Sequence, residues 1–107
     1  MLDLTILSEQ YFEIKLLDGR IINLKKMNQR MIINTTSIDK AIEKANKSKE
    51  YEKVLNLNID RLELILNHNK EGVKISREEI EELTPDVMGA IIVAYTEWMQ
   101  NINNNPN

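Results

Sequence analysis

Cysteine is absent from this chain of 107 residues, and histidine occurs only once, at position 68. The absence of cysteine excludes a disulfide scaffold, a thiolate metal site and a cysteine nucleophile. One histidine cannot build a zinc site, and the sequence identifies no partner residue that would make His68 a general base. We therefore expect an intracellular protein that is not an enzyme, with no catalytic, cofactor-binding or metal-binding residues.

Proline and glycine are also scarce, with two and three residues. The glycines are isolated, so the chain has neither a phosphate-binding loop nor a dinucleotide fingerprint. The only linker-like or low-complexity segment is a polar tail at residues 103–107. Because 42% of the residues are apolar, residues 1–107 are expected to form a single domain with a modest core.

Long hydrophobic runs are missing as well. The longest nearly uninterrupted apolar run, residues 87–95, has nine residues, about half of the ~20 that a helix needs to cross a bilayer. The first ten residues carry Asp3 where a signal peptide would carry positive charge. The net charge of -3 gives no strong field to attract nucleic acid or an anionic membrane. We expect no membrane partner and no secretion.

Residues 11–26 predict an antiparallel β-hairpin that turns at Asp18-Gly19. A two-residue loop would split the apolar side chains between the two faces of the hairpin. A loop of residues 17–19, with Gly19 left-handed, instead pairs Phe12 with Leu24 and Ile14 with Ile22 and makes one face apolar. We predict the three-residue loop, with that apolar face covered by helices because a lone hairpin is marginally stable.

The preceding residues, 1–10, are weakly determined. Leu2, Leu4 and Ile6 alternate as in a strand, but no turn residue ties them to the hairpin. The segment is predicted to be an arm or an edge strand.

Residues 37–102 predict the helical part of the domain. Ser37 can cap a helix that begins at Ile38, after a connection at residues 27–36 with room for a short helical turn around residues 29–33. A longer helix follows from residue 49 to about residue 67, where Asn67, His68 and Asn69 form its fraying end. Its apolar residues cover more than one side, which indicates contacts with two neighbours and makes self-association an option.

Two further helix starts are marked by capping residues. Ser76 and Glu79 form a capping box that begins a short acidic helix. Thr84 and Pro85 then begin the last helix, which continues to Ile102. The fold class is therefore α+β and mainly α, with the N-terminal hairpin packed on a bundle of three to four helices.

The last helix carries the clearest apolar stripe of the sequence: Met88, Ile91, Ile92, Tyr95, Trp98, Met99 and Ile102. We expect Ile91 and Tyr95 to lie in the core, between the hairpin and the long helix. The apolar side chains at the end of the helix are more than the core requires. Trp98, Met99 and Ile102 are therefore the candidate partner-binding residues.

Two charged clusters offer weaker signals. Five carboxylates concentrate at residues 78–86, where a solvated helix face is a better interpretation than a divalent-cation site. Basic residues cluster around the hairpin, and a hairpin can contact nucleic acid: Lys15, Arg20, Lys25, Lys26 and Arg30. Glu13 and Asp18 dilute that charge, so a solvated sheet face is favoured over a nucleic-acid partner.

The order of these segments resembles the small tail assembly chaperones of long-tailed bacteriophages and phage-like elements of low-GC Gram-positive bacteria. The resemblance covers roughly residues 12–107. It consists of the hairpin with its Asp-Gly turn, a polar helical middle and three runs: LELILNHNKEG at 62–72, ISREEIEELTPD at 75–86 and IIVAYTEWMQNINNNPN at 91–107. The Y-x-x-W pattern and the Pro-Asn ending carry most of it.

The resemblance implies a non-enzymatic assembly factor in the cytoplasm of a bacterial host. Such a factor binds the long tape-measure protein, helps recruit tail-tube subunits and is absent from the finished virion. No individual binding residue carries over, since the family offers no residue-level motif to match. Two alternatives stay open: a small nucleic-acid-binding regulator that uses the basic hairpin, and a minor phage structural or connector protein.

Overall fold

The computed structural model describes residues 1–104, with side chains described as far as Ile102. The predicted tail therefore falls partly in the last helical turn, and residues 105–107 lie outside the described part. The described elements follow the order α1 (Leu4–Ser8), β1 (Tyr11–Lys15), β2 (Ile21–Lys25), α2 (Gln29–Lys47), α3 (Tyr51–Asn67), α4 (Arg77–Glu81) and α5 (Pro85–Asn104). The predicted fold class is confirmed: an antiparallel hairpin is followed by helices.

The hairpin has the predicted register. Phe12 lies opposite Leu24 and Ile14 opposite Ile22, and the Leu16 amide donates to the Arg20 carbonyl at 2.8 Å to close the loop. Gly19 has a φ of 94°, a conformation that costs little without a Cβ. Ile22 and Leu24 are fully buried beneath the sheet, so the apolar face does cover the core.

Helix α2 begins nine residues before the predicted start, at Gln29 rather than Ile38. Asn28 caps it, because the Asn28 side chain accepts a hydrogen bond from the Met31 amide at 2.9 Å. The hydroxyls of Thr35 and Thr36 donate to carbonyls four residues earlier, at 2.9 and 2.7 Å, inside the helix. Predicting Ser37 as the cap was therefore wrong, since the preceding threonines continue the helix instead of interrupting it.

Helices α2 and α3 form an antiparallel pair that extends from the core. The molecule measures 52 × 30 × 19 Å along its principal axes. The pair turns at Lys49, which is left-handed with a φ of 57°, and the Glu50 amide returns to the Ala45 carbonyl at 2.9 Å. Tyr51 at the start of α3 is exposed, whereas Leu62 and neighbouring residues near its end are buried. Only the second half of the α3 stripe therefore belongs to the core.

The residues after α3 are held firmly, which contradicts the predicted fraying end. Asn69 is only 5% exposed; its side-chain amide donates to the carbonyls of Leu66 and Val73 at 2.8 and 2.7 Å, and its oxygen accepts from the Val73 amide at 2.8 Å. Asn67 makes a similar pair of bonds across the loop to Ile75, at 2.7 and 3.0 Å. These two asparagines fix the loop because a buried backbone group needs a partner.

This fixed loop pairs with the outer edge of β2. The Lys25 amide donates to the His68 carbonyl, and the Lys70 amide donates to the Asn23 carbonyl, both at 2.8 Å. The Asn23 amide also donates to the Glu71 carboxylate at 2.9 Å. β2 therefore has bonding partners on both sides, with β1 on one edge and the loop on the other.

Tyr95 of α5 anchors the hairpin to the helices. Its side chain is 1% exposed, its ring stacks on Phe12 with centroids 6.3 Å apart, and its hydroxyl donates to the Lys25 carbonyl at 2.6 Å. Ile91, the other residue expected in the core, is only partly buried. Ile91 lies at the margin of the core because α4 and β1 do not meet over it.

Residues 1–10 do not form an edge strand. Residues 4–8 make a short helix that Asp3 caps, and none of its residues is buried. The segment contacts the domain through Lys26, whose ammonium group donates to the Leu7 carbonyl and, at 3.0 Å, to the Gln10 side chain.

Replacing Asn69 with alanine should lower the free energy of unfolding by about 2 kcal/mol, because the partly buried Val73 amide and the carbonyls of Leu66 and Val73 lose their partner. Denaturant melts measure the change. The matched control is Asn56→Ala, at an exposed position in α3, which should stay within about 0.5 kcal/mol of the unaltered protein. Equal stability of the two variants would contradict a structural role for Asn69.

Alkaline pH should weaken the fold through Tyr95. Burial raises the pKa of its hydroxyl from an ordinary 10.0 to about 12. Below pH 10 the residue is neutral in both states and its contribution is complete. Between pH 10 and 12 the unfolded chain releases the proton and the folded protein retains it, so the free energy of unfolding falls by up to about 2–3 kcal/mol.

The variant Tyr95→Phe isolates this effect. At pH 7 it should cost about 1 kcal/mol for the lost hydrogen bond to Lys25. Its free energy of unfolding should then fall less steeply than that of the unaltered protein in urea melts between pH 9.5 and 11.5. Parallel slopes for the two proteins would show that the tyrosine does not titrate as described.

Candidate protein-binding groove

The three candidate residues from the sequence lie on the last turns of α5, and two of them also contribute to the fold. The Trp98 ring lies 5.7 Å from Phe12 and 5.5 Å from Tyr95, measured between centroids. Trp98 and Met99 pack against the core while remaining partly exposed. Ile102 is also partly exposed. Trp98 helps to hold the hairpin on α5 through Phe12, and contact of the three residues with a partner stays a prediction.

A large concave surface lies elsewhere, between the hairpin, α4 and α5. It is an open groove with a volume of about 850 Å³, within the range typical of ligand sites. One wall is β1 with the loop that follows it. The opposite wall consists of apolar residues of α4, of α5 and of the connection between them: Ile80, Leu83, Val87, Ala90, Ile91 and Ala94.

The β1 wall of this groove presents unpaired backbone groups. In an antiparallel pair, alternate residues exchange hydrogen bonds with the neighbouring strand and those between them point away. Leu16 bonds to Arg20, so Ile14 and Phe12 are the next residues to bond across to β2 in this register. The amides and carbonyls of Glu13 and Lys15 therefore face outward, and no other described residue pairs with them. Both residues line the groove.

An ion-pair network closes one end of the groove. The Arg20 guanidinium pairs with Asp18 at 2.7 Å and with Glu79 of α4. The Arg20 amide and guanidinium lower the pKa of Asp18, and the hydrogen bond to Glu79 raises the pKa of Arg20. Since these groups are exposed, the network positions the loop rather than adding much stability.

The remaining charges of the groove wall are Glu13, Lys15 and Glu82, which have no ion-pair partner among residues 1–102. The two carboxylates outnumber the one ammonium group. The free charge beside the groove is therefore slightly negative, with Lys15 as a single positive point on the strand edge.

Most of the other sequence candidates stay apart from the groove or are engaged within the chain, whereas Glu79 and Glu82 line it. The His68 ring nitrogen lies 3.1 Å from the Lys26 carbonyl, and burial together with the charge of Lys25 lowers the pKa of the ring. The five carboxylates at residues 78–86 are exposed, and Glu81 lies 3.4 Å from Arg77. Within residues 1–102, no three His, Cys, Asp or Glu side chains are grouped so as to hold a metal ion.

The basic residues of the hairpin do not form one free patch. Arg20 is engaged by two carboxylates, and Lys26 bonds to Leu7 and Gln10, which precede β1. Lys15, Lys25 and Arg30 are exposed. Because Arg20 and Lys26 are engaged within the chain, little concentrated positive charge is left for phosphate contacts.

Sequence reasoning missed the groove, although one signal was present. Residues 87–95 are apolar on more than one side of the helix, and a second row runs through Val87, Ala90, Ile91 and Ala94 at helical spacing. Small residues in such a row leave room beside the helix. The sequence could not show that a gap separates α4 from β1 above this row.

None of the described helices is long and apolar enough to cross a membrane. No family model, curated protein or solved structure was found to match the chain.

Proposed function

We propose that the protein is a non-enzymatic binding factor that accepts an extended apolar segment of a partner protein in the groove. The observation that carries this proposal is the unpaired edge of β1 along an open apolar channel. An added strand would form backbone hydrogen bonds with Glu13 and Lys15, while its alternate side chains entered the channel. Because backbone bonding is independent of side-chain identity, such a site suits a partner with several binding segments.

Within this class, we propose a tail assembly chaperone that binds tape-measure protein and helps recruit tail-tube subunits in the bacterial cytoplasm. The support for it is the resemblance in segment order and in the closing Y-x-x-W run, together with the groove. A long apolar partner needs a covering surface until it assembles. The slightly negative groove wall favours client segments that carry lysine or arginine beside the apolar residues.

Neither alternative function has a comparable observation in its favour. The basic hairpin residues that a nucleic-acid regulator would use are divided by the pairing of Arg20 and Lys26. A connector protein would be found in mature particles, whereas a chaperone would be absent from them, so proteomics of purified virions separates those two functions.

The variant Ala90→Arg should block the groove. Ala90 is exposed on its wall, and arginine is a good helix former, so the fold should tolerate the change. Binding of peptides that tile the long protein encoded beside this chain's gene should weaken at least roughly tenfold, or about 1.4 kcal/mol. Fluorescence anisotropy measures the affinity.

The matched control for Ala90→Arg is Thr96→Arg, which adds the same side chain at an exposed position of α5 outside the groove. It should bind the peptides as the unaltered protein does. Equal loss in both variants, or in neither, would contradict the groove as the binding site.

Co-expression tests the chaperone function itself. The tape-measure protein should remain in the soluble fraction when produced with the unaltered chain or with Thr96→Arg, and should precipitate when produced with Ala90→Arg. A tape-measure protein that precipitates with all three chains would refute the chaperone proposal, even if peptides bind the groove.

A further inference from the structure

The segment preceding β1 exposes an unusual amount of apolar surface. We call residues 2–8 the arm. Leu2, Leu4 and Ile6 are 75%, 66% and 67% exposed, and no residue of α1 is buried. A helix of five residues is far shorter than the ~12–15 residues at which an isolated helix becomes even marginally stable. Beyond the Asp3 cap and the bond from Lys26, the arm therefore has little to hold it in the helical form.

The arm has the pattern of a strand with one apolar face. In an extended conformation, Leu2, Leu4 and Ile6 point to one side, and Asp3, Thr5 and Leu7 point to the other. The groove offers what such a strand needs, namely the outward amides and carbonyls of β1 and an apolar channel beside them.

The arm is poorly connected for pairing with its own β1. Only Glu9 and Gln10 separate it from Tyr11, and a two-residue hairpin loop requires residues that accept a positive φ, such as Gly or Asn. A three-residue loop of residues 8–10 would keep the apolar face, but its third residue, Gln10, would have to adopt the left-handed conformation that glycine usually supplies. Pairing within one chain would therefore strain the loop.

We propose that the arm of a second copy of this chain occupies the groove, as a strand antiparallel to β1. Each copy has one arm and one groove, so a reciprocal exchange closes a two-fold dimer. In this dimer the groove of each copy is completed by the other. The proposal concerns the same groove as the proposed function: the second copy's arm covers the groove when no client is present, and a client strand would have to displace it.

The charges select one register. Placing Asp3 opposite Lys15 also places Thr5 opposite Glu13 and Leu7 opposite Tyr11, which are outward-facing positions of β1. The inward residues Leu2, Leu4 and Ile6 then join the face of Leu16, Ile14 and Phe12. A shift by two residues in one direction places Asp3 opposite Glu13, where like charges repel. A parallel strand with the same ion pair would extend past the end of β1 into the loop.

This register has a further consequence at the symmetry axis. Pairing residue 3 with 15, 5 with 13 and 7 with 11 places residue 9 opposite its own copy. Two Glu9 carboxylates therefore meet on the axis and oppose dimer formation. Glu9→Gln should tighten the dimer.

The test is sedimentation velocity of the full chain without any client, over a range of concentrations. We expect a monomer–dimer equilibrium that Leu4→Asp shifts to monomer, as does Ala90→Arg, which fills the groove. Val93→Asp is the matched control, since Val93 is an exposed apolar residue on α5 outside the groove. This control should dimerise as the unaltered protein does.

A charge exchange tests the register. Asp3→Lys and Lys15→Asp should each raise the dimer dissociation constant by roughly fivefold to tenfold, because two ion pairs break per dimer. The double variant should return it to near the original value. A protein that stays monomeric, a dimer insensitive to Leu4→Asp, or a double variant no better than the single ones would overturn the proposal. Client peptides that neither bind the protein nor shift the dimer to monomer would instead count against the proposed function alone.

Discussion

The double pairing of β2 is the constraint on which the rest of the structure depends. The strand is bonded to β1 on one edge and to the loop after α3 on the other, where Lys25 meets His68 and Asn23 meets Lys70. Tyr95 adds a bond from below to the carbonyl of Lys25. These contacts leave the two-stranded sheet one free edge, that of β1, and they fix where that edge lies relative to α4 and α5.

The asparagines of the loop show how polar residues can organise a small core. Asn67 and Asn69 replace backbone pairing that no helix or strand supplies, and among the described residues no buried side-chain nitrogen or oxygen lacks a partner. Because this loop is rigid, the start of α4 is positioned as well. Ile80 is thereby fully buried, while Leu83 remains available to the groove. The hydrogen bonds that satisfy the loop's polar groups therefore also position the residues that shape the groove.

The parts of the fold that local rules govern could be predicted from the sequence. The hairpin register followed from the requirement for one apolar face and from the left-handed Gly19. Ser76 was correctly identified as a cap, since its hydroxyl accepts from the Glu79 amide at 3.1 Å. The start of α2 was missed because Asn28 and Ser37 are equally good caps in isolation. Only the threonine hydroxyls bonding inside the helix decide between them.

The candidate site was harder to predict, because a groove is a gap whose width depends on how far apart the surrounding helices and strands lie. The pattern of α5 indicated an apolar helix, but it could not separate Tyr95, which packs under the hairpin, from Ile91, which faces the groove. That distinction depends on the distance between β1 and α4, which Arg20 and Glu79 bridge from two remote parts of the chain. Long-range geometry of this kind leaves no local signature.

An unpaired strand edge beside apolar residues is a hazard for any protein, since it is a template for uncontrolled pairing. Protected edges usually carry proline, a bulge or inward-pointing charge, or are covered by another element. β1 has neither proline nor a bulge, and its charged residues, Glu13 and Lys15, are exposed rather than inward-pointing. The edge of β1 therefore lacks these forms of protection. Such an edge is retained where something covers it, and a strand offered by another chain would satisfy both its backbone groups and the channel beside them.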